Sequence, residues 1–367
     1  MSAPAAPVRN AFIDHLRVLM TVLVILHHAA IVYGGSGGWY WREEPNASNR
    51  LLILFNAVNQ SWFMGFFFLL AGYFTPGPYD RKGPGRFLAD RFLRLGVPLL
   101  VYFLFGSTFT IALARTGSGH PLWAGWAQMI SLRNFEPGPL WFAEALLLFA
   151  LAYAAWRRWI ATGQPSWPDV PGPRALLIAA LGVGGVSFAV RFVVPVGKNV
   201  VWLQLGYFPA YVLLFFAGCW SARARVLERV TLAQARPWAI LSAVMFVALP
   251  VVMITNGGVG GFDGGWHFNA FFYALWDPLI AWGIILTLLW SFRTYLPGTG
   301  PLPAFLSRHA FAAYIVHPPV LVGLSLLARG VTLPPLLKFG AVGGAACAGA
   351  FAVAGRLLLL PGVKKIL

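Results

Sequence analysis

Charge and cysteine are scarce in this chain, and each shortage excludes a class of protein. Only 10% of the 367 residues are Asp, Glu, Lys or Arg, against roughly 25% in soluble domains. That is too little charge to cover a globular surface. The two cysteines, Cys219 and Cys347, both lie inside apolar stretches. They exclude a disulfide framework and a cysteine-rich metal site, and read as packing residues. Among the seven histidines there is no HExxH pattern, and the adjacent His27 and His28 splay about 100° apart on a helix. No metal is expected. Acidic residues are scarcer than basic ones, 11 against 27, for a net charge of +16. No basic stretch carries the aromatic interleaving of a nucleic-acid module, so no nucleic-acid partner is expected. The excess reads instead as a topology signal.

What is abundant is apolar surface: 59% hydrophobic and 16% aromatic residues. Apolar runs near the length needed to cross about 30 Å of hydrocarbon recur along the chain. They are continuous rather than alternating, which favours helices over a β-barrel. The expected fold is all-α, a polytopic integral membrane protein of about ten transmembrane helices. The spans are placed at 13–33, 51–74, 95–114, 139–160, 175–195, 202–221, 237–256, 269–291, 309–328 and 335–358. Connectors such as "TPGPYDRKGPGR" and "TGQPSWPDVPGPR" are short and rich in Gly and Pro. None has room for a second domain, so 1–367 reads as one unit without a cleavable signal peptide. With the N-terminus inside, Arg9, Arg17, the Arg81–Arg94 cluster, Arg157 and most other basic residues fall on the cytoplasmic side. Both termini are then cytoplasmic, which an even number of spans satisfies. The expected location is a bacterial cytoplasmic (inner) membrane.

The first span, "VLMTVLVILHHAAIVYGG", carries two histidines where polar groups are costly. A helix turns about 100° and rises about 1.5 Å per residue. From Arg17 to His28 is therefore about three full turns plus 20°, or roughly 16 Å along one face. Asp14 falls on the same stripe, and His27 about 80° off Arg17's line. A stripe of Asp14, Arg17 and His28 should face the bundle interior or a water cavity. On geometry alone His28 is equally an interhelical hydrogen-bonding group, Arg17 a snorkelling arginine, and His27 a packing residue.

Several stretches resemble one family. "IDHLRVLMTVLVILHH" is similar to the first helix of the membrane acyltransferase-3 family, marked by an arginine, ten residues and a histidine. Arg17 and His28 have that spacing; Arg17 and His27 do not. "FMGFFFLLAGYFTPGPYDRKGPGRFLADRFLRLGVPLL" resembles the family's second helix, basic cytoplasmic loop and third-helix start. "GPLWFAEALLLF" and "SRHAFAAYIVHPPVL" resemble two later segments. There are departures: Ala71 stands where many members have a serine, the "WSLxxEExFY" type of segment is absent, and no fused esterase-like domain is expected after "GVKKIL".

The resemblance implies acyl transfer from cytoplasmic acyl-CoA, most often acetyl-CoA, to a hydroxyl or amine of a glycan, lipid or small molecule. Arginine forks suit the CoA phosphates, and Arg17, Arg86, Arg91 and Arg94 are the expected binders. The basic cluster is equally explained as topology signalling. His28 is the expected general base. Glu144, at matching depth in the fourth span, would orient it or bind the acceptor. His317, ahead of Pro318 and Pro319, would donate to the thioester carbonyl or serve as structural glue. Asp14, His27, Trp141 and Asp277 are supporting residues. The aromatics of "GGWYW" and "GGWHF" suit carbohydrate stacking or an aromatic belt. The rival class is a proton-coupled secondary transporter using the same intramembrane His, Asp and Glu.

Overall fold

The computed structural model describes residues 10–159, 166–258, 260–298 and 300–367. Arg9, and residue 160 at the expected end of the fourth span, lie outside the described residues. The chain folds as helices α1 (Ala11–Val32), α2 (Arg50–Tyr73), α3 (Pro76–Thr116), α4 (Leu122–Ser131), α5 (Gly138–Trp159), α6 (Pro173–Val193), α7 (Leu205–Ser221), α8 (Leu232–Thr255), α9 (Phe268–Tyr295), α10 (Pro301–Leu327) and α11 (Pro335–Leu357). Among the described residues nine helices are long and apolar enough to cross a membrane, and α7 is a shorter apolar one. Together they answer to the ten expected spans, and the fold is that of an all-α polytopic membrane protein.

α1 lies at the heart of the bundle, packed by α2, α9, α10 and α11. Its Leu16, Met20, Ile25, Ala29 and Ala30 are fully buried, as expected of a helix that is apolar nearly all round. α6, α8 and α11 are more peripheral and turn residues such as Ile178, Val244 and Val353 outward. α2 crosses α7 closely because Gly72 and Gly218 face each other's backbones. A Cβ at Gly72 would overlap the Phe215 carbonyl, and one at Gly218 the Leu69 carbonyl. Small residues at such a crossing let two membrane helices pack by direct contact.

The structure corrects the sequence in two places. "TPGPYDRKGPGR" is not a free connector: α3 begins at Pro76, with one break at Gly83 (φ 73°). Pro76 sits in the first turn, where its missing N–H has no partner to lose. Tyr79 and Phe87 hold the segment down, edge to face at 5.5 Å, and Arg157 of α5 donates to Asp80 at 2.9 Å. α4 was not anticipated. It lies between α3 and α5, tied down by Trp126, whose indole donates to Thr108 at 3.0 Å. α3 also contains two π-helical turns, Phe92–Gly96 and Tyr102–Gly106. Pro98 explains the first, because it cannot donate to the Arg94 carbonyl.

Candidate active site

The stripe read from the sequence is present on α1. Arg17 sits at one end, its side chain 44% exposed, with Asp14 3.6 Å away. His28 lies toward the other end and is partly accessible, whereas His27 and His317 are buried.

His28 meets His317 of α10. Its Nδ1 is 3.0 Å from His317 Nε2, and the rings stack at 5.1 Å with 6° between planes. His317 Nδ1 lies 2.6 Å from the Tyr314 carbonyl. That carbonyl is free because Pro318, four residues on, has no N–H to offer it. A carbonyl only accepts, so His317 Nδ1 carries a proton and, in the neutral ring, its Nε2 is an acceptor. His28 must then donate from Nδ1, which leaves the lone pair on Nε2. The tautomer follows from this hydrogen-bond chain. Both nitrogens of His317 are occupied in it.

Neighbouring groups hold this pair in place. Tyr314 donates to the Pro139 carbonyl at the start of α5, so "PLWF" and "YIVHP" dock directly. His27 turns the other way, stacked on Phe63 at 5.3 Å, with its Nδ1 3.3 Å from Asn59 Nδ2. Asn56 donates to the His27 carbonyl at 3.0 Å. These two asparagines tie α2 to α1 where the backbone passes His28.

Sequence reasoning did not place residues 33–49 at the site. This loop folds back onto the end of α1 and lays Trp39 on His28, ring centroids 3.9 Å apart and 15° between planes. Trp39 also stacks on His317 at 5.8 Å. Arg42 anchors the loop to the Ile31 and Gly35 carbonyls, and Glu43 pairs with the buried Lys338 of α11. Beside Trp39, Tyr40 Oη is 3.1 Å from Tyr102 Oη. Gly106 gives the Tyr102 ring its space, since a Cβ there would press on it. Glu136 completes the cluster: burial raises its carboxyl above the ordinary value, opposed by a hydrogen bond with Tyr40. The signal for this group was "GGWYWRE", in which glycines flank aromatics and a charge pair. "GGWHF" does not join it: Trp266 is exposed and packs on Phe188.

Other expected residues fall elsewhere. No hydrogen bond among the described residues joins Glu144 to His28. Trp141 stacks on Tyr211 at 6.0 Å. Asp277 forms a buried ion pair with Arg191 of α6. Arg191 in turn donates to the Gly206 carbonyl at 3.0 Å and lies between the rings of Tyr207 and Tyr273. The sequence reading named Asp277 without Arg191 and so missed this pair. Next to it is a cavity about the size of one water, lined by Gln60, Ser187 and Tyr211. Arg86 and Arg94 are exposed, and Arg91 lies over Phe87 at 5.2 Å.

Comparison with known proteins adds the following. Over 100 residues the chain is 31% identical to a glucans biosynthesis protein C of Salmonella schwarzengrund (strain CVM19633). The alignment covers 27% of this chain and 25% of that protein. No solved structure matches. Residues 10–355 match the family model described as an acyltransferase domain, and with that coverage the chain belongs to the membrane acyltransferase-3 family.

Proposed function

We propose that this protein transfers an acyl group, acetyl in the simplest case, from acyl-CoA to a hydroxyl or amine of a glycan, lipid or small molecule. His28 is the general base. The observation that carries this reading is the chain His28–His317–Tyr314 carbonyl, which leaves a lone pair on Nε2 of a partly accessible imidazole. His317 takes the place that a carboxylate holds in a Ser-His-Asp triad. Its role in this reading is positioning, in place of the donor role expected from sequence. Arg17, on the same face about 16 Å away, is the foot at which the phosphate-bearing end of the CoA binds. Arg86, Arg91 and Arg94 extend that charge. A pantetheine arm of similar length reaches from there to His28.

The reaction is direct transfer. The acceptor oxygen attacks the thioester carbonyl carbon as His28 Nε2 takes its proton. Collapse of the tetrahedral intermediate re-forms the C=O bond and expels the CoA thiolate, which recovers that proton as the thiol. The donor binds from the cytoplasm, in a bacterial inner membrane, with both termini on that side. The name of the glucan-biosynthesis relative makes a glycan the first acceptor to try.

The test is CoA release from acetyl-CoA by the purified chain in lipid nanodiscs, with and without gluco-oligosaccharides. H28A is expected to lose about 100-fold or more of the rate, the share a general base supplies. CoA should still raise the melting temperature of H28A. A wild-type protein that neither releases CoA nor is stabilised by it would sink the acyltransferase reading and return the transporter.

A further inference from the structure

Trp39 has a feature that stacking does not use. Its indole Nε1 is buried and has no hydrogen-bond partner among the described residues. That of Trp220, which does not touch His28, is likewise without a partner among the described residues, but those of two other tryptophans find one. Trp276 donates to the Met245 carbonyl at 2.7 Å, and Trp282 to the Leu176 carbonyl at 3.0 Å. Unsatisfied buried donors are rare in native proteins, and each asks for a reason. This donor lies in the ring stacked on His28. Its loop is also tied down by polar contacts: Arg42 binds two carbonyls, Glu43 pairs with Lys338, and the Glu43 N–H donates to the Val32 carbonyl at 3.1 Å.

We propose that Trp39 is a catalytic hydrogen-bond donor, whose Nε1–H binds the acyl carbonyl oxygen as it becomes an oxyanion beside His28. The proposal rests on the acyltransferase reading above and adds the electrophilic half of the site. When the acceptor oxygen bonds to the carbonyl carbon, the C=O π pair moves onto the carbonyl oxygen and the acceptor's proton moves to His28 Nε2. The new negative charge accepts from Trp39 Nε1–H. When the intermediate collapses, that pair returns to the C=O bond, the C–S bond breaks onto sulfur, and the indole donor is released unchanged. A donor preorganised in a water-poor site is most effective where charge develops. His317 cannot fill this role, because both of its nitrogens are engaged.

The decisive variant is W39F, which keeps an aromatic ring on His28 and removes the N–H. With acetyl-CoA as donor, kcat for CoA release should fall by about 100-fold, the effect of removing one oxyanion donor. KM for acetyl-CoA and stabilisation by CoA should stay within about twofold, because the lost contact belongs to the transition state. If W39F does not accumulate, W39H replaces it, keeping a ring N–H, and should retain at least about a tenth of the wild-type rate. W39F activity within about threefold of wild type, with H28A inactive, would overturn the role of Trp39 and leave His28 as base. A W39H rate as low as that expected for W39F would overturn it as well. If H28A itself keeps full activity, the role of His28 as base fails first and the oxyanion site beside it fails with it, while a wild type that neither releases CoA nor is stabilised by it sinks the acyltransferase reading.

Discussion

At the scale of single residues, the neighbours of His28 decide its chemistry. An isolated imidazole presents either nitrogen as base. Here His317 takes one, and it can do so because Pro318 frees the Tyr314 carbonyl to fix the proton on His317 Nδ1. H317A should therefore lower kcat while leaving KM for acetyl-CoA nearly unchanged. About 100-fold of the general-base contribution goes with the tautomer. H317Q, whose amide oxygen can accept from His28 Nδ1, should recover part of it. A pH–rate profile separates this from simple unfolding, because H317A should shift its acidic limb and H317Q should restore it. Equal rates for H317A and wild type would show that His28 needs no partner.

At the scale of elements, two close approaches set where the site residues stand. The Gly72–Gly218 crossing sets α2 against α7, and α2 carries the asparagines that grip α1 at His27. G218V puts two methyl groups against the Leu69 carbonyl and the Tyr73 amide. It should cost about 1–3 kcal/mol, as overpacking does. The measurement is the thermal melting of the detergent-purified variant against wild type, and an unchanged melting temperature would mean the crossing has slack. The second approach is local to α3. Gly106 lets the Tyr102 ring lie along its own helix, which brings its hydroxyl to Tyr40 and so next to Trp39.

At the scale of the whole molecule, one carboxylate ties together segments far apart in the chain. Glu228 accepts from Asn10 at 2.7 Å and from Tyr73 at 2.6 Å, and pairs with Arg225. Arg293 of α9 binds the Glu228 and Val230 carbonyls. Partial burial pushes the Glu228 carboxyl up, but Arg225 and Tyr73 outweigh it and hold it below the ordinary value. A lowered folded-state pKa means the carboxylate form is favoured in the fold. The stabilisation is complete above the ordinary glutamate range and disappears as pH falls through the lowered value. E228Q should therefore melt below wild type near neutral pH, and the gap should close as pH falls through the ordinary glutamate range and the lowered value beneath it. A gap independent of pH would mean that packing, not the charge, accounts for the knot.

Much of the fold could be read along the chain, because the need to satisfy every backbone group within lipid ties an apolar run to a helix. Most spans lie within a few residues of their expected places, but α8 begins five residues early, α10 eight and α3 nineteen. There, Gly and Pro read as a loop, and the contacts of Tyr79, Phe87 and Arg157 kept the helix going. α4 was missed because a ten-residue helix between spans leaves no length signal.

The Asp14–Arg17–His28 stripe was legible because helical periodicity is local: positions eleven apart share a face whatever surrounds them. The partner of His28 was not legible, since His317 is 289 residues away and only packing brings α10 against α1. The same holds for Arg191 with Asp277, and for the loop that carries Trp39 back onto the end of α1. Sequence alone determined that this chain builds membrane helices and puts a histidine and an arginine on one face of the first. The tertiary structure decided which nitrogen of that imidazole is free and which rings surround it. Tautomer and stacking depend on atoms a few ångströms apart, and no periodicity along a single helix specifies what lies across from it.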